Sequence, residues 1–293
     1  MKPYLLTAMA AALLVEMTPA AAVAQTILFV GNSYTYGHGS PVMGFHPERV
    51  KDLNGEGIGG VPALFKTFAQ QSGQEWEVAL ETSPAKTLHW HLTEKRSTFG
   101  RRWDVVVLQG QSTLDPLDPG NPARHIAAAN EIGKLVRGVN RSARLLLMAT
   151  WSSALMVYQP QSPRQLKPSP WFGKTVYAMA EDLQTASELA LKDKAVTAVL
   201  PVGLAWNRAM RNGVADPNPY DGLEFGKVSL WNWDYHHAST EGYYLEALVV
   251  FGAITGVDPV SLGPQERAAI ELGMNPTVAV ELQRIAKAEL DSR

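Results

Sequence analysis

Short apolar runs recur along this chain and alternate with segments that have the spacing of amphipathic helices. The runs are Thr26–Val30, Trp76–Leu80, Val105–Leu108, Leu145–Ala149 and Val196–Val202. The third is almost entirely β-branched, as expected for a strand that is covered on both faces. Between the runs, the stretches 61–73, 121–140 and 173–193 carry helix-start residues, helix-stop glycines or apolar spacings of three and four. This alternation predicts an α/β fold, in which a five-stranded parallel sheet lies between two layers of helices.

The first residues have the pattern of a secretory signal peptide. Lys2 is followed by an apolar stretch from Leu5 to Val15, and then by Ala22-Val23-Ala24, which fits a small-residue cleavage site. A retained anchor is the alternative, but Glu16 interrupts the apolar run, and the stretch is too short to cross a bilayer. We therefore expect a signal peptide over 1–24, one mature domain over 25–293, and a periplasmic or secreted protein.

Charge and cysteine content exclude several classes of function. The 293 residues include 26 Lys and Arg against 28 Asp and Glu, which gives a formal net charge of −2 without a basic cluster. Neither nucleic-acid binding nor electrostatic attachment to a membrane surface is indicated by this balance. The sequence contains no cysteine, so disulfides, thiolate nucleophiles and zinc–thiolate sites are excluded.

Two long segments follow predicted strands, one over 37–60 and the other over 151–172. Ligands of open α/β sheets bind at the carboxyl ends of the strands. Loops of this length within a compact domain are usually functional or mobile. We therefore expect these two loops to shape a binding site.

Three polar residues in two separate segments could form a nucleophilic site. Ser33 follows the first predicted strand directly, and Asp234 and His237 lie three positions apart just before a helical pattern that begins near Ser239. At this spacing a carboxylate can orient an imidazole, which then activates a serine hydroxyl as its general base. A surface Asp–His pair would explain the same spacing. His236 is a competing base, although it lies only two positions from Asp234.

Other matches to catalytic or metal-binding motifs are incomplete. The S-x-x-K pattern that begins at Ser83 lacks the partner motifs S-D-N and K-T-G, and the chain has no G-x-S-x-G nucleophile elbow. His89 and His91 flank Trp90 without a third ligand nearby, which favours packing or surface roles on a helix. We therefore expect no metal and no cofactor.

The two ends of the chain together resemble the SGNH (GDSL-type) hydrolase superfamily. Its first block, a strand leading into G-D/N-S-x-(T)-x-G, is similar to residues 31–37, and its last block, D-x-x-H before a helix, is similar to residues 234–242. The resemblance implies a flavodoxin-like SGNH hydrolase fold over the mature chain. It also implies that Ser33 is the nucleophile, His237 the general base and Asp234 the residue that orients His237. The backbone N–H of Ser33 would then be one oxyanion donor.

The middle blocks depart from the family pattern. Ala85 stands where the second block normally has a glycine, whose N–H is another oxyanion donor, so the tight turn there is less certain. The third block reads Gln109-Gly110-Gln111-Ser112 in place of G-x-N-D, and resembles that of sialate O-acetylesterase relatives. The resemblance implies a glutamine as the side-chain oxyanion donor. We expect Gln109, with Gln111 as the alternative.

These residues predict an exported serine esterase that acts through an acyl-enzyme. The third block and the export signal favour an acetylesterase that acts on a carbohydrate or small-molecule ester. Tyr34 and Trp233 are candidate substrate-binding residues, although core or rim packing would also explain these aromatics. Within the same fold, a lipase, lysophospholipase or thioesterase is the alternative. The altered middle blocks also allow a carbohydrate-binding protein with weakened activity. We expect no stable membrane insertion after the signal peptide is removed.

Overall fold

A computed structural model describes residues 24–159 and 167–293. Most of the expected signal peptide, and part of the second long loop, lie outside the described residues. The strands in these ranges are β1 (Gln25–Gly31), β2 (Lys51–Asp52), β3 (Trp76–Thr82), β4 (Val105–Leu108), β5 (Arg144–Met148) and β6 (Ala198–Leu200). They form one sheet in the order β2-β3-β1-β4-β5-β6, and every neighbouring pair is parallel.

Helices connect and cover these strands. The α-helices of the described residues are α1 (Ser33–Tyr36), α2 (Gly60–Gln71), α3 (Leu88–Glu94), α4 (Arg96–Phe99), α5 (Ala123–Val139), α6 (Ala154–Tyr158), α7 (Val176–Glu188), α8 (Val202–Arg211), α9 (Thr240–Thr255), α10 (Arg267–Glu271) and α11 (Pro276–Asp291). Short 3₁₀ turns occur at Pro41–Gly44, Pro47–Arg49, Leu189–Asp193 and Pro259–Leu262. None of the helices in the described ranges has both the length and the apolar character needed to span a bilayer.

Apolar side chains fill both faces of the sheet. In β1, Ile27 and Phe29 belong to one core with α2, α8, α9 and α11, whereas Leu28 and Val30 belong to a second core with α3, α4 and α5. Successive side chains of a strand point to opposite faces, so a strand covered on both sides is apolar throughout. The helix α9 is buried over most of its length and is correspondingly apolar around its circumference. The predicted three-layer α/β/α architecture is confirmed.

The sheet has six strands, whereas the sequence predicted five. The additional strand, β2, has two residues and pairs with Ala79 and Leu80 of β3 at the edge of the sheet. It lies within the long loop predicted over 37–60. Because Lys51 and Asp52 are both polar, they give no apolar run from which a strand could be recognised.

The topology brings three loops together at one edge of the sheet. β1 lies between β3 and β4, and the chain crosses from one side of β1 to the other when it passes from β3 to β4. Such a switch point opens a crevice at the carboxyl ends of the strands. The segments that follow β1, β3 and β4 therefore meet there, and they contain Ser33, Ala85 and Gln109.

Candidate active site

A pocket of about 530 Å³ opens at this crevice. Ser33, Ala85 and Gln111 line it from the loops after β1, β3 and β4, and Asp234 and His237 line it from the segment that precedes α9. Residues about 200 positions apart in sequence therefore share one cavity. Among the described residues, no group of three or more His, Asp or Glu side chains is arranged to hold a metal ion.

The chain turns sharply where β1 ends, and Ser33 is the first residue of α1. The Asn32 side chain caps this helix by accepting a hydrogen bond from the Tyr34 N–H at 3.2 Å. A Cβ atom on Gly31 would lie 2.3 Å from Thr35 Oγ1, so the turn requires glycine there. Ser33 Oγ makes no side-chain hydrogen bond within the described residues, so Ser33 and His237 share the pocket without a hydrogen bond between their side chains.

Asp234 and His237 form a close pair. His237 Nδ1 lies 2.5 Å from Asp234 Oδ2, while Asp234 Oδ1 accepts the backbone N–H groups of His236 at 3.0 Å and His237 at 2.9 Å. Burial raises the pKa of Asp234, but these hydrogen bonds outweigh burial and hold the pKa well below its usual range. Asp234 is therefore an anion at neutral pH. Its bond to Nδ1 favours the tautomer in which Nε2 of His237 is available as a base.

The adjacent His236 has different partners. Its Nδ1 lies 2.8 Å from Ser153 Oγ, and its backbone carbonyl accepts the Tyr34 hydroxyl at 2.9 Å. The carboxylate of Asp234 contacts the ring of His237 at 2.5 Å, and it accepts the backbone N–H of His236. This geometry favours His237 over His236 as the base.

Ala85 adopts the left-handed backbone conformation that glycine favours. Its φ is +57°, and the residue lines the pocket on the side formed by the loop after β3. An alanine in this conformation costs about 1–2 kcal/mol relative to its preferred one. Ala85 thus has the backbone conformation expected of a glycine at this position, and it lines the pocket.

The two glutamines of the third block, Gln109 and Gln111, occupy different places in the structure. Gln109 is fully buried beneath the pocket, where its Oε1 accepts the Asn32 N–H at 2.9 Å and the Thr35 hydroxyl at 3.0 Å, and its amide group donates to the Gly110 carbonyl. Gln111 lines the pocket instead, and its side-chain oxygen has no hydrogen-bond partner in the described residues. Of the two glutamines, only Gln111 is among the residues that line the pocket.

Asn32 joins all three loops, a role that sequence reasoning missed. Its Nδ2 donates to the carbonyl of Lys86 at 3.1 Å and to that of Gly110 at 3.2 Å. Its backbone N–H is held by Gln109. The side chain is 3% exposed. The buried Asn32 amide thus joins the Ala85–Lys86 turn to the start of α1, in addition to the backbone hydrogen bond from the Ser83 N–H to the Gly31 carbonyl at 3.0 Å.

The two aromatics predicted to bind substrate lie in contrasting environments. The ring of Tyr34 lines the pocket but is 1% exposed, and it stacks on Trp151 with 4.1 Å between ring centroids. Trp151 in turn stacks on Trp206 at 4.7 Å. Burial raises the pKa of Tyr34, so its hydroxyl stays protonated. Trp233 is 78% exposed and does not line the pocket. The structure thus gives Tyr34 a largely structural position and leaves Trp233 outside the cavity.

Comparisons with known proteins bear on the fold. No protein-family model matches the sequence, and no curated protein matches it. Solved structures do match. A DUF4886 family protein from Bacteroides uniformis has a TM-score of 0.60 at 15% identity, and the match covers 92% of this chain and 95% of that one. A GDSL-like lipase candidate from Parabacteroides merdae has a TM-score of 0.52 at 12% identity, with 81% and 99% covered. TesA has a TM-score of 0.50 at 14% identity, with 79% and 99% covered. The chain therefore has the α/β/α fold of the SGNH hydrolases.

Proposed function

We propose that this protein is a serine esterase that hydrolyses carboxylic esters through an acyl-enzyme. The observation that carries the proposal is the shared pocket of Ser33 and His237, in which Asp234 holds His237 Nδ1 at 2.5 Å. The likeness to a GDSL-like lipase candidate at the level of the fold supports it. A nucleophile, a base and an orienting carboxylate are the parts that activate a serine hydroxyl.

In the proposed reaction, Ser33 Oγ attacks the ester carbonyl while His237 Nε2 takes its proton. The negative oxygen of the tetrahedral intermediate is bound by the N–H groups of Ser33 and Ala85 and by the Gln111 side chain. His237 then gives the proton to the leaving alcohol as the C–O bond breaks. A water molecule, activated by the same imidazole, attacks the acyl-enzyme and releases the acid. Each donor aimed at the oxyanion contributes about 3 kcal/mol to catalysis of this kind.

We infer that the substrate is an acetylated carbohydrate and that the enzyme acts after export. The third block, Gln109 to Ser112, and the signal-like residues 1–24 support this assignment. Cleavage after Ala24 would leave Gln25 at the mature N-terminus, which N-terminal sequencing of the secreted or periplasmic protein tests directly. Full-length protein in the cytoplasmic fraction would contradict the export proposal.

The second candidate function is that of a lipase or thioesterase, whose substrate carries a longer acyl group. The apolar side chains of Leu155 and Met156 line the same pocket, together with Pro84 and Pro116. Such a surface can bury a hydrocarbon chain, with each buried methylene contributing about 0.8 kcal/mol. The kcat/KM values for p-nitrophenyl acetate, butyrate and octanoate separate the two candidates. Highest activity with acetate favours the deacetylase, whereas a steady rise with chain length favours the lipase.

The esterase proposal is tested by comparing Ser33→Ala with Ser83→Ala. Loss of the nucleophile lowers kcat for p-nitrophenyl acetate by about 10⁶-fold, to background. Ser83 follows β3 outside the lining of the pocket and belongs to the incomplete S-x-x-K motif, so its alanine variant keeps activity. A fluorophosphonate probe should add covalently to Ser33, as located by peptide mass spectrometry. Equal nitrophenol release by the wild type and Ser33→Ala refutes the serine mechanism and favours a binding protein.

A further inference from the structure

His38 lies beside the proposed catalytic base. Its ring centroid is 4.5 Å from that of His237, and its ring also meets the edge of Tyr36 at 6.0 Å. All three residues line the pocket. The residue is exposed to solvent. An imidazole therefore stands at the open side of the site, next to the ring that must exchange a proton with the leaving alcohol.

The backbone that carries His38 is held at several points. The His38 N–H donates to the Ser33 carbonyl at 3.1 Å, and the His38 carbonyl accepts the buried Tyr243 hydroxyl at 3.3 Å. The next carbonyl, that of Gly39, accepts Asn232 Nδ2 at 2.7 Å. A Cβ atom on Gly39 would lie 2.2 Å from that nitrogen, so the contact requires glycine. The exposed ring thus projects from a fixed segment, which preorganises it for binding.

The ring nitrogens of His38 have no hydrogen-bond partner within the described residues. Partial burial against the pocket wall lowers the pKa of His38, and the neighbouring His237 lowers it further. The imidazole is accordingly neutral at pH 7, with one N–H donor and one nitrogen acceptor. A hydroxyl group can likewise donate and accept a hydrogen bond, so it can pair with either ring nitrogen of a neutral imidazole.

We propose that His38 is a specificity residue that binds a free hydroxyl of the leaving alcohol, on the carbon next to the acylated one. This inference rests on the proposed esterase function. The alcohol oxygen must come within hydrogen-bond reach of His237 to receive its proton. A hydroxyl on the adjacent carbon then extends to the neighbouring ring of His38. The preferred substrates are esters of vicinal polyols, the class to which sugars belong.

The experiment compares His38→Phe with the wild type on matched substrates. The first is the 2-O-acetyl ester of methyl β-xylopyranoside, the second is its 3-deoxy analogue, and the third is p-nitrophenyl acetate. Loss of one neutral hydrogen bond lowers kcat/KM by about tenfold. We expect the ratio of kcat/KM for the hydroxyl-bearing ester to that for the deoxy ester to fall about tenfold in His38→Phe. The variant His38→Gln, which keeps a donor and an acceptor, should recover part of the ratio.

His89→Phe is the control, because His89 is an exposed histidine of α3 that does not line this pocket. Its variant should leave the ratio unchanged. A wild-type ratio near one overturns the proposal, because the enzyme would then not recognise the adjacent hydroxyl. An equal loss on all three substrates in His38→Phe also overturns it, because His38 would then act only through His237. The esterase proposal fails separately, when the wild type and Ser33→Ala hydrolyse p-nitrophenyl acetate equally.

Discussion

Asn32→Ala tests whether the buried amide of Asn32 holds the proposed oxyanion site together. The substitution removes three side-chain hydrogen bonds, those with the Tyr34 N–H and with the carbonyls of Lys86 and Gly110. The Gly110 carbonyl keeps the donor from Gln109. The Lys86 carbonyl and the Tyr34 N–H have no such replacement in the described residues.

The cost to stability follows from these three bonds. Each contributes about 1 kcal/mol net, and a buried group that is left unpaired costs about 1–3 kcal/mol. We therefore expect Asn32→Ala to lower the free energy of unfolding by about 3 kcal/mol, as measured by urea denaturation.

The cost to catalysis has a separate origin. Without Asn32 Nδ2 the turn that carries Ala85 loses its side-chain contact with the segment that carries Ser33, while the backbone hydrogen bond from Ser83 to Gly31 still joins them. Misplacing the Ala85 N–H is equivalent to losing one oxyanion donor, which lowers kcat by about 10²- to 10³-fold. KM should change less, because the donor acts mainly on the transition state. The assay is kcat and KM for p-nitrophenyl acetate, at a denaturant-free condition where the variant is fully folded.

Asn140 offers a matched control at the opposite edge of the sheet. It is 4% exposed, and its Nδ2 donates to Trp103 O at 2.8 Å and to Asp104 Oδ1 at 3.1 Å. Its Oδ1 accepts the Ser142 N–H at 3.2 Å and the Ser142 hydroxyl at 2.8 Å. Asn140→Ala should therefore lose similar stability and keep its kcat. If Asn32→Ala loses stability like the control but retains the wild-type kcat, the oxyanion turn does not depend on Asn32 and the reasoning is refuted.

Two further substitutions test the charges in and behind the pocket. Asp234→Asn presents an amide to His237 Nδ1 and favours the tautomer with its proton on Nε2. The value of kcat/KM for p-nitrophenyl acetate should therefore fall by up to about 10⁴-fold, as it does in Ser-His-Asp proteases. A loss of less than about tenfold would contradict a role in orienting the base. Glu246 on α9 is fully buried, neither carboxyl oxygen has a partner in the described residues, and burial raises its pKa well above the ordinary 4.5. Above pH 4.5 the unfolded chain releases this proton while the folded chain retains it, so the wild type loses up to about 1.4 kcal/mol of stability per pH unit relative to Glu246→Gln until the folded pKa is reached. Thermal unfolding at pH 5 and pH 8 should show that the stability of Glu246→Gln relative to the wild type increases at the higher pH. If the stability difference does not change with pH, Glu246 is charged in the folded state.

Periodicity predicted most of the fold because the central strands are covered on both faces. Each of the five apolar runs overlaps a strand, and α9 begins at Thr240 with Ser239 as its capping residue, as the sequence indicated. Elements without an apolar pattern were not predicted. β2 has two polar residues, and α1 is a single turn whose apolar spacing cannot be separated from that of a loop. A periodic signal needs several residues, and these elements are too short to supply it.

The contact between Asp234 and His237 was predictable because its geometry is local. Asp234 and His237 interact within one turn, so a spacing of three was enough to pair them. The sequence could not distinguish the positions of Gln109 and Gln111, because these depend on where the hydrogen-bond pattern of β4 ends. The Gln109 N–H still bonds to the Val30 carbonyl, so the hydrogen-bond pattern of β4 continues one residue beyond the strand and the side chain turns beneath Asn32. When a strand continues one residue further than expected, each side chain that follows points to the opposite face.

Backbone strain provides an independent indication of where the site lies. In the described residues the left-handed region holds five residues that are not glycine, namely His46, Ala85, Leu114, Lys194 and Tyr235. Ala85 lines the pocket, Tyr235 adjoins Asp234, and Leu114 follows the lining residue Thr113. Each such residue costs about 1–3 kcal/mol, and the surrounding structure must overdetermine it. One of the five lines the pocket, and two more are sequence neighbours of lining residues, although selection for stability alone would remove such strain. We therefore expect the left-handed conformation of Ala85 to direct its backbone N–H at the oxyanion, as the proposed chemistry requires.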